Sequence, residues 1–104
     1  MTVANIILQQ LGGGRFLAMT GAKNLTGSED ALSFALPRGL AKYEKKAITH
    51  VRIVLTQNDT YHVEFLNITM RPALKRTVVV EHDDVYADDL QSIFTESTGL
   101  DTRL

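Results

Sequence analysis

Ile48–Thr69, ITHVRIVLTQNDTYHVEFLNIT, is the stretch on which the fold turns. Two runs rich in Val, Ile, Thr, Tyr and Phe flank the polar Gln57-Asn58-Asp59, the composition of two strands and their turn. The loop length follows from what it sets opposite what. A two-residue loop over Asn58-Asp59 would put Leu55 against His62 and Ile53 against Glu64, mixing apolar with polar partners. A three-residue loop, Gln57-Asn58-Asp59, instead pairs Leu55 with Tyr61, Ile53 with Val63 and Val51 with Phe65. Its other face then matches Arg52 with Glu64. A slip of one residue would turn every side chain to the wrong face, so the second register is expected. The strands are placed at Ile48–Thr56 and Thr60–Thr69.

Working outward, Thr77–His82 (TVVVEH) reads as another strand after the loop RPALK. Upstream, Leu32–Leu36 reads as a strand with Leu32, Phe34 and Leu36 on one face, ended by Pro37 and Gly39. Arg15–Thr20 (RFLAMT) is expected to be the first strand, with GAKNLTGSED a ten-residue connection. RGLAKYEKKA, after Pro37, has no firm period and reads as a loop or a single helical turn.

Helices are expected at both ends. Val3, Ile7 and Leu11 recur at four-residue spacing after Thr2, a candidate N-cap, and stop at Gly12-Gly13-Gly14. Those three glycines read as a flexible connector into a strand, with a ligand-approach loop as the other possibility. From about Val85 to Thr98, Tyr86, Leu90, Ile93 and Phe94 form an apolar stripe, and Gly99-Leu100 resembles a Schellman stop. Asp83, Asp84, Asp88 and Asp89 crowd the N-terminal end, where the helix dipole favours negative charge. The expectation is a single α+β domain over 1–104: an antiparallel sheet of about five strands with both helices on one face. Phe16 or Leu17, Leu32, Phe34, Val51, Ile53, Leu55, Val63, Phe65, Val78, Val80, Leu90, Ile93 and Phe94 are the expected core.

A chain of 104 residues that is 44% apolar can bury one core and too little for two. Cysteine is absent, which removes disulfides, thiolate metal sites and thiol nucleophiles. The opening MTVANIILQQLGGG lacks the basic region of a signal peptide, and its apolar run is too short for a bilayer. The sequons at Asn24, Asn58 and Asn67 are read as turn chemistry and strand ends.

Charge is unevenly placed. Residues 15–76 hold ten Lys/Arg against five Asp/Glu, and residues 77–104 one Arg against seven, so +5 and −6 sum to the net −1. Arg38, Lys42, Lys45, Lys46, Arg71, Lys75 and Arg76 lie in the two segments flanking the hairpin, and Arg52 lies on its less apolar face. Both segments join strands at the end of the hairpin away from its turn, so they can meet as a basic patch suited to phosphates. The competing reading is a solvated rim neutralised by the protein's own acidic helix. Asp83, Asp84, Asp88 and Asp89 are the alternative surface, a carboxylate array for a basic partner.

Other motifs point to less. GGGRFLAMTGAKNLTG lacks the G-K-[ST] ending and following helix of a phosphate loop. Thr20, Gly21, Lys23 and Asn24 remain a candidate loop for a small anionic ligand, with plain turn architecture as the alternative. His50 and His62 share a sheet face, opposite Leu66 and Val54, too far apart to hold one metal. His82-Asp83-Asp84 are adjacent side chains that diverge. No nucleophile motif appears. No catalytic residue, metal or cofactor is expected.

RFLAMTGAKNL (15–25), LSFALP (32–37), NDTYHVEF (58–65) and VYADDLQSIFTESTGLDTRL (85–104) resemble a group of small proteins encoded in phage and other mobile-element genomes. The likeness covers nearly the whole chain. It implies a phage or prophage setting and the cytoplasm of a bacterial host, and it supplies no mechanism or functional residues. The function expected is a non-enzymatic intracellular binding module. Its leading form binds nucleic acid or a host nucleoprotein through the basic flanks. The rival is a protein–protein inhibitor, of counter-defence or DNA-mimic type, using the acidic helix. No membrane partner is expected, and an exposed strand edge is left that self-association could close.

Overall fold

A computed structural model describes residues 2–70, 72–100 and 102. The hairpin has the expected register: β5 (His50–Leu55) and β6 (Tyr61–Thr69) pair Leu55 with Tyr61, Ile53 with Val63, Val51 with Phe65 and Arg52 with Glu64. Thr56 N–H donates to Thr60 O at 2.8 Å, and Asp59 takes the left-handed conformation (φ 59°) that a three-residue hairpin loop uses at its last position.

Around the hairpin, β1 (Lys23–Gly27), β2 (Ala31–Ala35) and β7 (Lys75–Val85) complete an antiparallel sheet of order β1-β2-β5-β6-β7. The inner face carries Leu32, Phe34, Val51, Ile53, Val63 and Phe65, all buried. Three helices cover it: α1 (Val3–Leu11), α2 (Gly14–Thr20) and α3 (Leu90–Thr98). Phe94 of α3 stands edge-on to Phe16 of α2 at 5.1 Å and lies 6.3 Å from both Phe34 and Phe65. The chain is thus an α+β fold with its terminal helices on the same side of the sheet.

α1 forms as its spacing predicts. Thr2 Oγ1 accepts from Asn5 N–H at 3.2 Å. At its other end Gly12 N–H bonds Gln9 O and Gly13 N–H bonds Leu8 O, the paired bonds of a Schellman stop. The glycines therefore lead into a helix, not a strand, and Arg15–Thr20 lies within α2. Phe16 and Thr20, one turn apart, are buried while Ala18 and Met19 face out, a helical pattern too short to read from six residues. Gly21, with φ 71°, closes α2 through its N–H to Leu17 O.

The expected ten-residue connection instead contains β1. All five of its residues are exposed, so no alternation marks it. Gly27 places β1 under α1: a Cβ there would come within 2.8 Å of Ala4 Cβ. The expected loop or helical turn after Pro37 is a two-stranded ribbon, β3 (Lys42–Tyr43) and β4 (Lys46–Ala47). Its turn residues, Glu44 and Lys45, both have positive φ (49° and 69°), the backbone of a type I′ turn without the usual Asn-Gly.

The last elements also shift. β7 runs on to Val85, whose side chain is buried, so Asp83 and Asp84 belong to the strand. A 3₁₀ turn (Ala87–Asp89) precedes α3, leaving Tyr86 at 62% exposure and outside the stripe expected for it. Gly99 ends α3 with one bond, to Thr95 O at 2.8 Å, a simple left-handed cap and not a Schellman stop. Val78, expected in the core, is 45% exposed, and Leu55, Val80 and Ile93 only flank the core.

Candidate partner-binding surfaces

The first basic segment is joined to the end of β6 at the end of the hairpin away from its turn. Asn67 Nδ2 donates to Ala47 O at 3.0 Å, and Thr49 Oγ1 accepts from Ile68 N–H at 2.9 Å, so the ribbon's exit is stitched to the end of β6. Between them lies an open depression of about 660 Å³, lined by Arg38, Ala47, Thr49, Asn67 and Met70 among others. Arg38 is exposed on its rim. Lys42, Lys45 and Lys46 are exposed on the adjoining ribbon, and Lys75 is exposed opposite Thr69. Among the described residues none of these five is in an ion pair. Arg71 lies outside the described residues.

Arg52 and Arg76 are placed differently. Both reach the same carboxylate oxygen of Glu64, at 3.3 and 3.7 Å, on the face of the sheet that no helix covers. Their charge is partly neutralised there, so the basic surface rests on the ribbon and the depression's rim.

That open face holds a cluster the sequence did not reveal. His62 Nδ1 bonds Asp83, while His62 Nε2 lies 3.5 Å from Glu81 and 3.9 Å from Glu64. His62, Glu64 and Glu81 present ligand-type atoms within 4.8 Å of one another. Metal ligation would have to compete with the two guanidinium groups already on Glu64. The Arg52–Glu64 pair was legible from the hairpin. The approach of Glu81 was not, because nothing in the sequence sets the register of β7 on β6; the unpaired Val79, between the Phe65–Val80 and Leu66–Val78 pairs, is what turns Val78 out of the core.

The other histidines are separate. His50 Nδ1 lies 2.8 Å from Thr49 Oγ1, and burial lowers the pKa of its imidazole below the ordinary 6.5. His82 points to the inner side, 3.1 Å from Ser97 Oγ, so it and Asp83 diverge as expected of adjacent strand residues.

The acidic residues surround a shallower depression of about 280 Å³ between β7 and α3, lined by Asp83, Asp84, Asp89 and Glu96 with His82 and Ile93. Asp88 is exposed beside it and outside its lining. The set is therefore split between a strand and a helical turn, and does not belong to one helix.

Thr20, Gly21, Lys23 and Asn24 do not form one loop. Thr20 is buried, donates to Phe16 O at 2.8 Å and accepts from Ala22 N–H at 3.2 Å. Gly21 caps α2, where a Cβ would meet Pro37 Cγ at 2.8 Å. Lys23 and Asn24 are exposed on β1, and the φ of 56° at Asn24 belongs to an irregularity in the β1–β2 pairing. Thr20 and Gly21 are used by the fold.

No helix among the described residues is long and apolar enough to cross a membrane. Comparison with protein-family models, with characterised proteins and with solved structures finds no match to this chain.

Proposed function

We propose that this chain is a non-enzymatic binding module, made by a phage or other mobile element and acting in the cytoplasm of its host, that engages nucleic acid or a nucleoprotein through its basic end. The observation that carries this reading is the row of exposed cations on the ribbon and on the rim of the depression beside it. Arg38 rims a depression built with Thr49 and Asn67, and Lys42, Lys45 and Lys46 stand exposed beside it. Phosphate oxygens need cations together with neutral hydrogen-bond donors, and both lie along this edge. Such a surface binds through counterion release, so its affinity falls steeply with salt.

Charge reversal tests the reading. Lys45→Glu with Lys46→Glu is expected to abolish nucleic-acid binding in a gel-shift assay. Retained binding, or binding insensitive to salt, would reject the proposal. Asp88→Asn with Asp89→Asn is expected to leave binding intact or strengthen it.

A second reading is favoured by the other concavity. Four carboxylates around one depression suit a basic protein partner, as in an inhibitor that imitates the charge of DNA. There the Asp88 and Asp89 changes would slow association, and the lysine reversals would not. Folding is checked in both variants, since each aspartate favours the neighbouring helix N-terminus by about 0.3–1 kcal/mol. Pull-down from host lysate, with and without nuclease, separates the two partners.

A further inference from the structure

We propose that two copies of this chain associate by antiparallel pairing of β7 with β7, about a dyad that passes between Val79 and Val80. β7 is an eleven-residue strand at the edge of the sheet, bonded among the described strands only to β6. Which of its backbone groups are free follows from its neighbour. Leu66 O accepts from Thr49 N–H at 2.8 Å and Ile68 N–H donates to Thr49 Oγ1, so both residues turn their backbone groups away from β7. By the alternation of an antiparallel ladder Glu64 does the same. Their partners on β7, Val78, Arg76 and Glu81, therefore direct N–H and C=O to the open edge.

The strand is complementary to its own reverse. It reads basic (Lys75-Arg76), then apolar (Val78-Val79-Val80), then acidic (Glu81, Asp83, Asp84). Parallel pairing would set like charges together, and antiparallel pairing sets each basic end on an acidic one.

The bulge fixes the register. Val79 is the extra residue between the Phe65–Val80 and Leu66–Val78 pairs, and Val79 and Val80 both pack against the core. On either side of them, Arg76 and Val78, and likewise Glu81 and Asp83, belong to the open face. Pairing Val78 with Glu81 of the second copy and Arg76 with its Asp83 sets same-face residues opposite each other. The free backbone groups of Val78 and Glu81 then also meet. In an unbulged strand, residues three or seven apart lie on opposite faces, and this register would fail. A bulge ordinarily blunts an edge against foreign strands. Here the one strand that matches it is another copy with the same bulge, and pairing covers the half-exposed Val78.

Sedimentation of the wild-type chain over a range of micromolar concentrations is expected to show monomer passing to dimer. Val78→Pro removes an edge N–H that β6 does not use, and is expected to give a folded monomer. Arg76→Glu and Asp83→Arg should each weaken the dimer about tenfold, since each change acts twice about the dyad. The double variant should restore it. A chain monomeric at every concentration overturns the proposal, as does a dimer indifferent to Val78→Pro or single and double charge variants that behave alike. Should the proline variant unfold, amide exchange in the wild type decides. Protection at Val78 and Glu81 must rise with protein concentration, and unchanged exchange rejects the pairing. Capture of a strand from another protein by a chain that stays monomeric also rejects it.

Discussion

Tyr61 on β6 donates its phenolic hydrogen to Gln10 Oε1 of α1 at 2.5 Å, a bond between residues 51 positions apart in sequence. It ties the first helix to the turn end of β6 and satisfies a buried side chain. Burial holds the Tyr61 phenol above its ordinary pKa of 10.

The alkaline behaviour follows. Above pH 10 the unfolded chain loses the Tyr61 proton before the folded chain does, so stability falls as pH rises through that range. Ultraviolet titration should show a late tyrosine step above pH 10. Tyr61→Phe should remove that late step and cost about 0.5–1.5 kcal/mol, because Gln10 loses its donor. A late step that persists in Tyr61→Phe would contradict the assignment.

His50 acts at the opposite end of the scale. Its imidazole resists protonation in the folded chain, so the unfolded chain binds the proton first as pH drops below about 6.5. Stability is therefore lost on acidification in that window. His50→Gln should flatten this part of the profile relative to wild type, measured by urea unfolding at several pH values. Parallel profiles for the two proteins would exclude a role for His50.

Phe94 of α3 meets rings from α2 and from two strands of the sheet, so its truncation should be among the costliest single changes. Phe94→Ala is expected to lose about 3–5 kcal/mol, and Ile53→Ala, on the buried face of β5, about 2–5 kcal/mol. Chemical denaturation measures both. A loss under about half a kcal/mol at either site would show that its side chain does not face the core.

Gly27 and Ala4 offer a coupled test of how α1 sits on β1. Gly27→Ala brings a methyl within 2.8 Å of Ala4 Cβ and should destabilise the fold. Adding Ala4→Gly should relieve that contact, giving a coupling energy of about 0.5–3 kcal/mol in the double-mutant cycle. Strict additivity would place the helix elsewhere.

What the sequence by itself determined lies where side-chain identity leaves one answer. The hairpin register is of this kind: from Val51 to Phe65, every alternative buries a charge or exposes an aliphatic chain. The Arg52–Glu64 pair came with it, and so did α1, whose cap and apolar spacing are local. Tertiary structure decided the rest, because the deciding contacts come from distant residues. Arg15–Thr20 holds too few residues to display a period, and it is helical because Phe16 meets Phe34 and Phe94. β1 has no buried side chain and is a strand only through its ladder with β2. Asp83 and Asp84 extend β7 because Val85 beyond them pairs with Tyr61 of β6 and is buried, although their charge suits a helix N-terminus equally well. The cluster of His62, Glu64, Glu81 and Asp83 arises the same way, from an unpaired Val79 that resets the alternation of β7 until a second irregularity between His82 and Val85. A pairing defect of one residue leaves no mark on composition or spacing, and it determines which charges meet.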